Sequence, residues 1–136
     1  MATTTATLTL SSGDLTGDAL SLSTTTQLTK AGSATGLDQT TGVARKFFAS
    51  TQSNTALIAA ADYTDDKAHK VYIKNISSTA SEYITVKIGA TEVGRLYAGD
   101  FLFIPWSADT TSTAADIDID TSAVNMTVEY IVIYEA

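Results

Sequence analysis

The chain has 136 residues and a formal charge of −7, from 8 Lys+Arg against 15 Asp+Glu; 44% of it is hydrophobic and 17% charged. That length holds one domain around a single core, and the balance of apolar to charged residues is that of a folded chain. Zero Cys and one His exclude disulfides, thiolate metal sites, a cysteine nucleophile and a multi-histidine centre. The acidity argues against a nucleic-acid partner, since phosphates are held chiefly by Lys and Arg.

Ser and Thr supply 37 residues, 24 of them Thr, and β-branched Thr favours strands over helices. The N-terminal Met1-Ala2-Thr3-Thr4-Thr5-Ala6 has neither the basic nor the apolar part of a secretory leader, and no run of about 18 apolar residues predicts a membrane span. A soluble protein with no membrane partner is expected. Charge is polarised along the chain: residues 1–44 sum to −2, residues 45–95 to +2 and residues 96–136 to −7. Either the fold averages this polarity out, or the basic middle of one copy faces the acidic end of the next.

In chain order, Ala6, Leu8 and Leu10 alternate with threonines, and Leu20 and Leu22 alternate with serines. This period of two predicts two half-buried strands joined by a turn through Gly13 and Gly17. Lys30 to Gly42, punctuated by Gly32 and Gly36, reads as a long surface loop. Residues 1–44 are therefore expected to form a Thr-rich arm that orders on a neighbour, and residues 45–136 the core domain. Val43 to Ala49 predicts a strand, and Ala56 to Ala61 fits a short helix or a buried strand. Val71 to Ile76 and Tyr83 to Ile88 flank Ser77-Ser78-Thr79-Ala80-Ser81, the pattern of a hairpin. Phe101 to Ile104 predicts a strand that Pro105 stops. Ala115 to Asp120 and Met126 to Tyr134 complete the series, the last being apolar enough on both sides to lie mid-sheet. Together these predict an all-β fold, an antiparallel, jelly-roll-like β-sandwich of about eight to ten short strands.

Chemistry-bearing patterns are few. Asp116-x-Asp118-x-Asp120 opens like a calcium loop, but Thr121 and Thr127 stand where such a loop needs Gly and Glu, so a solvated acidic edge is the preferred reading. Asp62, Asp65 and Asp66 suggest oxygen ligands, yet Lys67 opposes them and turns use Asp in any case. His69 could serve a Ser–His–Asp triad, but no nucleophile elbow occurs and Ser107 lacks a context for one. Gly32 to Gly36 lacks the lysine of a phosphate loop. No catalytic residue, metal or cofactor is expected. Tyr72, Tyr83, Tyr97, Trp106, Tyr130 and Tyr134 could line a sugar platform, which keeps a carbohydrate-binding module as an alternative.

The run Val71-Tyr72-Ile73-Lys74-Asn75, then Val86-Lys87-Ile88-Gly89, then Arg95 to Trp106 with Ala98-Gly99-Asp100-Phe101 at its centre, and finally Val128 to Ile133, resembles small virion structural proteins of tailed bacteriophages, notably those of cyanophages and other marine phages. The resemblance spans roughly residues 57–134 and lies in the order of these elements. It implies a non-enzymatic assembly role in the virion, as a capsid decoration (cement) protein that binds the head lattice as a homo-oligomer, with a trimer as the expected form. A tail, neck or fibre-associated protein is the alternative. The implied partners are other copies of the chain and the major capsid protein or other virion proteins. Contact residues are expected at Leu8, Leu10, Leu20, Leu22, Phe47, Phe48 and Trp106. The absence of heptads and shaft repeats favours decoration over a long fibre.

Overall fold

The computed structural model of the chain describes residues 2–15, 17–109 and 113–136. Among them run eleven strands: β1 (Thr5–Ser12), β2 (Leu20–Gln27), β3 (Gln39–Thr40), β4 (Ala44–Phe48), β5 (Thr55–Ile58), β6 (His69–Asn75), β7 (Tyr83–Ile88), β8 (Thr91–Tyr97), β9 (Phe101–Trp106), β10 (Ile117–Thr121) and β11 (Met126–Tyr134). Short 3-10 turns occupy Ala60–Asp62 and Thr113–Ala115. The strand beyond the expected range is accounted for by β3, two residues that pair with Ile133 and Tyr134. No helix among the described residues is long and apolar enough to cross a membrane.

The strands form two layers and a separate hairpin. One sheet runs β5-β10-β7-β8; the other runs β11-β6-β9, with β3 and β4 both paired to the free side of β11; β1 and β2 pair only with each other. All pairings are antiparallel. Lettering β4 to β11 from B to I in chain order, the sheets read B-I-D-G and C-H-E-F, the strand order of a jelly roll.

Alternation of side chains places the core between the layers. In β6, His69, Val71, Ile73 and Asn75 are buried while Lys70, Tyr72 and Lys74 are half-buried; β10 buries Ile117, Ile119 and Thr121 and turns Asp118 and Asp120 outward. Val71, Ile73, Val128 and Val132 of one sheet meet Ile84, Val86, Ile117 and Ile119 of the other, all fully buried. Each such side chain contributes about 1.5–3 kcal/mol relative to exposure.

Several local expectations are corrected. β6 and β7 are not a hairpin: β6 pairs with β9 and β11, whereas β7 pairs with β8 and β10. The inward face of β7 is apolar and that of β6 is apolar at its centre, Val71 and Ile73, and facing each other across the core buries both. Asn75 fixes the crossing, its Nδ2 donating to the carbonyls of Glu82 (3.2 Å) and Leu96 (3.0 Å) while its Oδ1 accepts from the Ser77 amide. The hairpin in this region is β7–β8, turned by Gly89 at φ +57°, where a Cβ would strike the Ala114 backbone.

Pro105 does not end β9, which continues to Trp106. β9 is an edge strand, where proline is tolerated because alternate N–H positions face away from the neighbouring strand. Residues 55–62 are both things at once, a strand followed by a 3-10 turn. The acids of β10 are not at a sheet edge, because β10 lies between β5 and β7.

The stretch from Lys30 to Gly42 is tied down rather than loose. Leu28 and Leu37 are buried, Thr29 bridges Gly36, and Glu135 accepts the Ala31 amide at 3.0 Å. Thr41 Oγ1 accepts the Val132 amide, also at 3.0 Å. Of the strands in the N-terminal region, β3 and β4 join the sandwich, and β1 and β2 pair only with each other.

Candidate functional site

The register of the hairpin sorts its side chains cleanly. Leu10 lies opposite Leu22, Leu8 opposite Thr24 and Ser12 opposite Leu20, so Leu8, Leu10, Leu20 and Leu22 share one face. The other face is a hydroxyl ladder in which Thr7 and Thr25 share a hydrogen bond of 2.8 Å and Thr9 and Ser23 one of 3.4 Å. The leucines remain 39–46% exposed. An isolated two-stranded ribbon is marginal in water, and a contiguous apolar face of this kind marks an interaction surface.

The lower half of that face looks onto the outer side of the β11-β6-β9 sheet. Leu8, Thr24 and Thr26 form one wall and Tyr72, Phe101 and Phe103 the other of an open, mainly apolar groove of about 680 Å³. Tyr72 of β6 sits opposite Phe103 of β9, and Phe101 lies opposite Lys74. Phe101 is 55% and Phe103 40% exposed. Burial raises the Tyr72 phenol pKa above its ordinary value, with help from the charge of Glu129, which accepts its hydroxyl. Glu129 in turn pairs with Arg45 of β4 at 2.9 Å.

Among the expected contact residues, Leu8, Leu10, Leu20, Leu22 and Phe47 are exposed. Phe48 and Trp106 are not, which corrects their assignment to the surface. Phe48 pairs with Met126 on the inner side of its sheet and is 5% exposed; Trp106 is equally buried and donates its Nε1 hydrogen to the Ala115 carbonyl at 2.8 Å. Adjacent residues of a strand point to opposite faces, so Phe47 and Phe48 could not both be outward. Phe101 and Phe103 are exposed without having been expected to be: they alternate with Leu102 and Ile104, and an apolar run on all positions hides which side faces out.

The six aromatics considered for a sugar platform are dispersed. Tyr83 and Tyr97 pair at 5.4 Å with Arg95 over Tyr83, on β7 and β8; Tyr72 neighbours Phe101 at 6.1 Å on the other sheet. Tyr130 and Tyr134 pack against the core, which Trp106 joins.

His69 lies in that core, between Tyr134 and Trp106 in register. It is 1% exposed, boxed by Tyr63, Trp106 and Tyr134, and among the described residues neither ring nitrogen has a hydrogen-bond partner. Burial holds its pKa below the ordinary value, against the opposing pull of the Lys67 backbone and the Glu135 carboxylate. Neither Ser107 nor any acid is bonded to it, so the relay geometry of a triad is not formed.

Two of the three acids around β10 have partners of their own. Asp116 Oδ1 accepts the Ala60 amide at 2.8 Å, and Asp120 pairs with Lys87 at 2.6 Å. Burial opposes ionisation of Asp120, but the Lys87 hydrogen bond and the Asn54 amide outweigh it and lower its pKa. Asp118 is pushed upward by burial and by Asp116 and Asp120. Among the described residues no group of three or more His, Asp or Glu is arranged to hold a metal.

Compared with known proteins, the chain matches no family model, no curated protein and no solved structure.

Proposed function

We propose that this chain is a non-enzymatic structural protein of a tailed-phage virion, a capsid decoration protein that binds the head lattice as a homo-oligomer. The observation that carries the reading is the hairpin whose four leucines are 39–46% exposed on one face, held outside a jelly roll that already has a complete core. A surface of this kind serves contact rather than chemistry, and on a lattice of many copies each contact can be modest. The jelly roll adds support by analogy, being an architecture that viral capsid proteins use, and the sequence resemblance to phage virion proteins points the same way.

Imaging of assembled particles tests it. Copies are expected on the outer surface of the head; copies confined to the neck or tail would favour the tail-component reading, and absence from the particle would end both. A second reading, sugar recognition, draws on Tyr72, Phe101 and Phe103 in the groove and on the use of jelly rolls by lectins. It predicts glycan-array binding that is lost in Phe103→Ala.

A further inference from the structure

We infer that the hairpin is exchanged between copies of this chain, the leucine face of one copy seating on the aromatic strip of the next. This deepens the decoration reading by naming the contact between copies, and it rests on that reading only for the expectation that copies meet.

Two apolar walls on the same chain face each other without closing. Leu8 forms part of one, Phe101 and Phe103 part of the other, and the groove between them stays open. Further along the hairpin, Leu10, Leu20 and Leu22 are 39–46% exposed, while on the sheet Phe47 is 60% exposed. Each copy thus offers the surface that another copy lacks. The dimensions agree: an eight-residue strand spans about 26 Å and the seven residues of β6 about 23 Å.

Charge chooses the partner. A chain of net charge −7 repels its own copies, yet neither β1 nor β2 contains a charged residue. The hairpin's own acids are at its tip, Asp14 and Asp18, and neither forms an ion pair among the described residues. On the outer side of β6, Lys70 and Lys74 flank Tyr72 and are equally without ion pairs. A neighbour's hairpin laid along this strip matches leucines with aromatics and tip acids with free lysines. Reciprocal exchange gives a closed pair, and one-way exchange around an axis gives a ring.

The absence of cysteine makes the test direct. Purified Leu22→Cys and Phe101→Cys chains are mixed under mild oxidation, with no particle present. A disulfide joining one of each is the expected product, and sedimentation of the unmodified chain is expected to show association that Leu22→Asp weakens at least about tenfold, with circular dichroism unchanged. Should Leu22→Asp fail to fold, Leu22→Thr serves the same purpose. A chain that stays monomeric at high concentration overturns the inference. So does a Leu22→Cys/Phe101→Cys double variant that bridges only within itself, since the hairpin then closes on its own groove. Association in solution without binding to heads would sink the decoration reading alone.

Discussion

The β1–β2 hairpin and the β6–β11 pair obey the same alternation and meet opposite ends. In β6 and β11 the inward residues Val71, Ile73, Val128 and Val132 are fully buried; in the hairpin the corresponding leucines are 39–46% exposed. The difference is not in the strands but in what lies over them, since the β5-β10-β7-β8 sheet covers one apolar face and nothing among the described residues fully covers the other. Alternation therefore marks a strand and its two sides, while burial depends on a second layer.

The largest effect that sharpens this contrast comes from cutting the covered face. Ile73→Ala is expected to destabilise the fold by about 2–5 kcal/mol through lost transfer energy and a residual cavity, measured as a fall in the urea midpoint. Next comes the crossing between layers: Asn75→Ala leaves the Glu82 and Leu96 carbonyls short of a donor and should cost about 1–3 kcal/mol. An unchanged midpoint in either variant would break the comparison, because the covered face would then be no more demanding than the open one.

A third effect depends on pH. The His69 pKa is lowered by burial, so as pH falls below about 6.5 the unfolded chain takes up a proton that the native imidazole refuses. Stability then falls with pH until the depressed native pKa is reached. Asp120 and Glu135, whose pKa values are lowered, contribute stability above the ordinary carboxylate range that is lost as pH falls through their own native values. Denaturation midpoints measured from about pH 7.5 to 5.5 should decline in the parent and flatten in His69→Phe; parallel curves would remove His69 as the cause.

The smallest effects belong to the open surfaces. Arg45→Ala breaks a pair whose arginine side chain is 64% exposed, so less than about 1 kcal/mol is expected. Leu22→Ser should change the stability of the dilute chain by no more than about 0.5 kcal/mol. A large loss there would mean that the leucine face is covered in the single chain after all.

Much of the fold was legible because it rests on period-two patterns: β1, β2, β7 and β11 fall where alternation puts them. The pairing was less legible. Sequence-adjacent strands often pair, which made β6 and β7 look like a hairpin, but in this jelly roll β7–β8 is the one connection among β4 to β11 that stays within a sheet. Pro105 misled for a related reason, since its cost depends on whether a strand is an edge. The shared face of the four leucines could be read from alternation, and their exposure came with the finding that β1 and β2 join neither layer. Phe48 and Trp106 could not be told from Phe47 by residue type, because all three suit core and interface equally well.

The place of β11 has a consequence for the order of events during synthesis. It follows in the chain every strand it pairs with, and it is the inner strand that joins β3 and β4 to β6. Until it has left the ribosome its sheet is divided, and the covering of Val71 and Ile73 is incomplete. The pairing of β1 with β2 is local and can form early, though transiently, because an isolated ribbon is marginal in water. The leucines of β1 and β2 thus emerge well before the core of the sandwich is sealed, at a stage when exposed apolar surface is most prone to association.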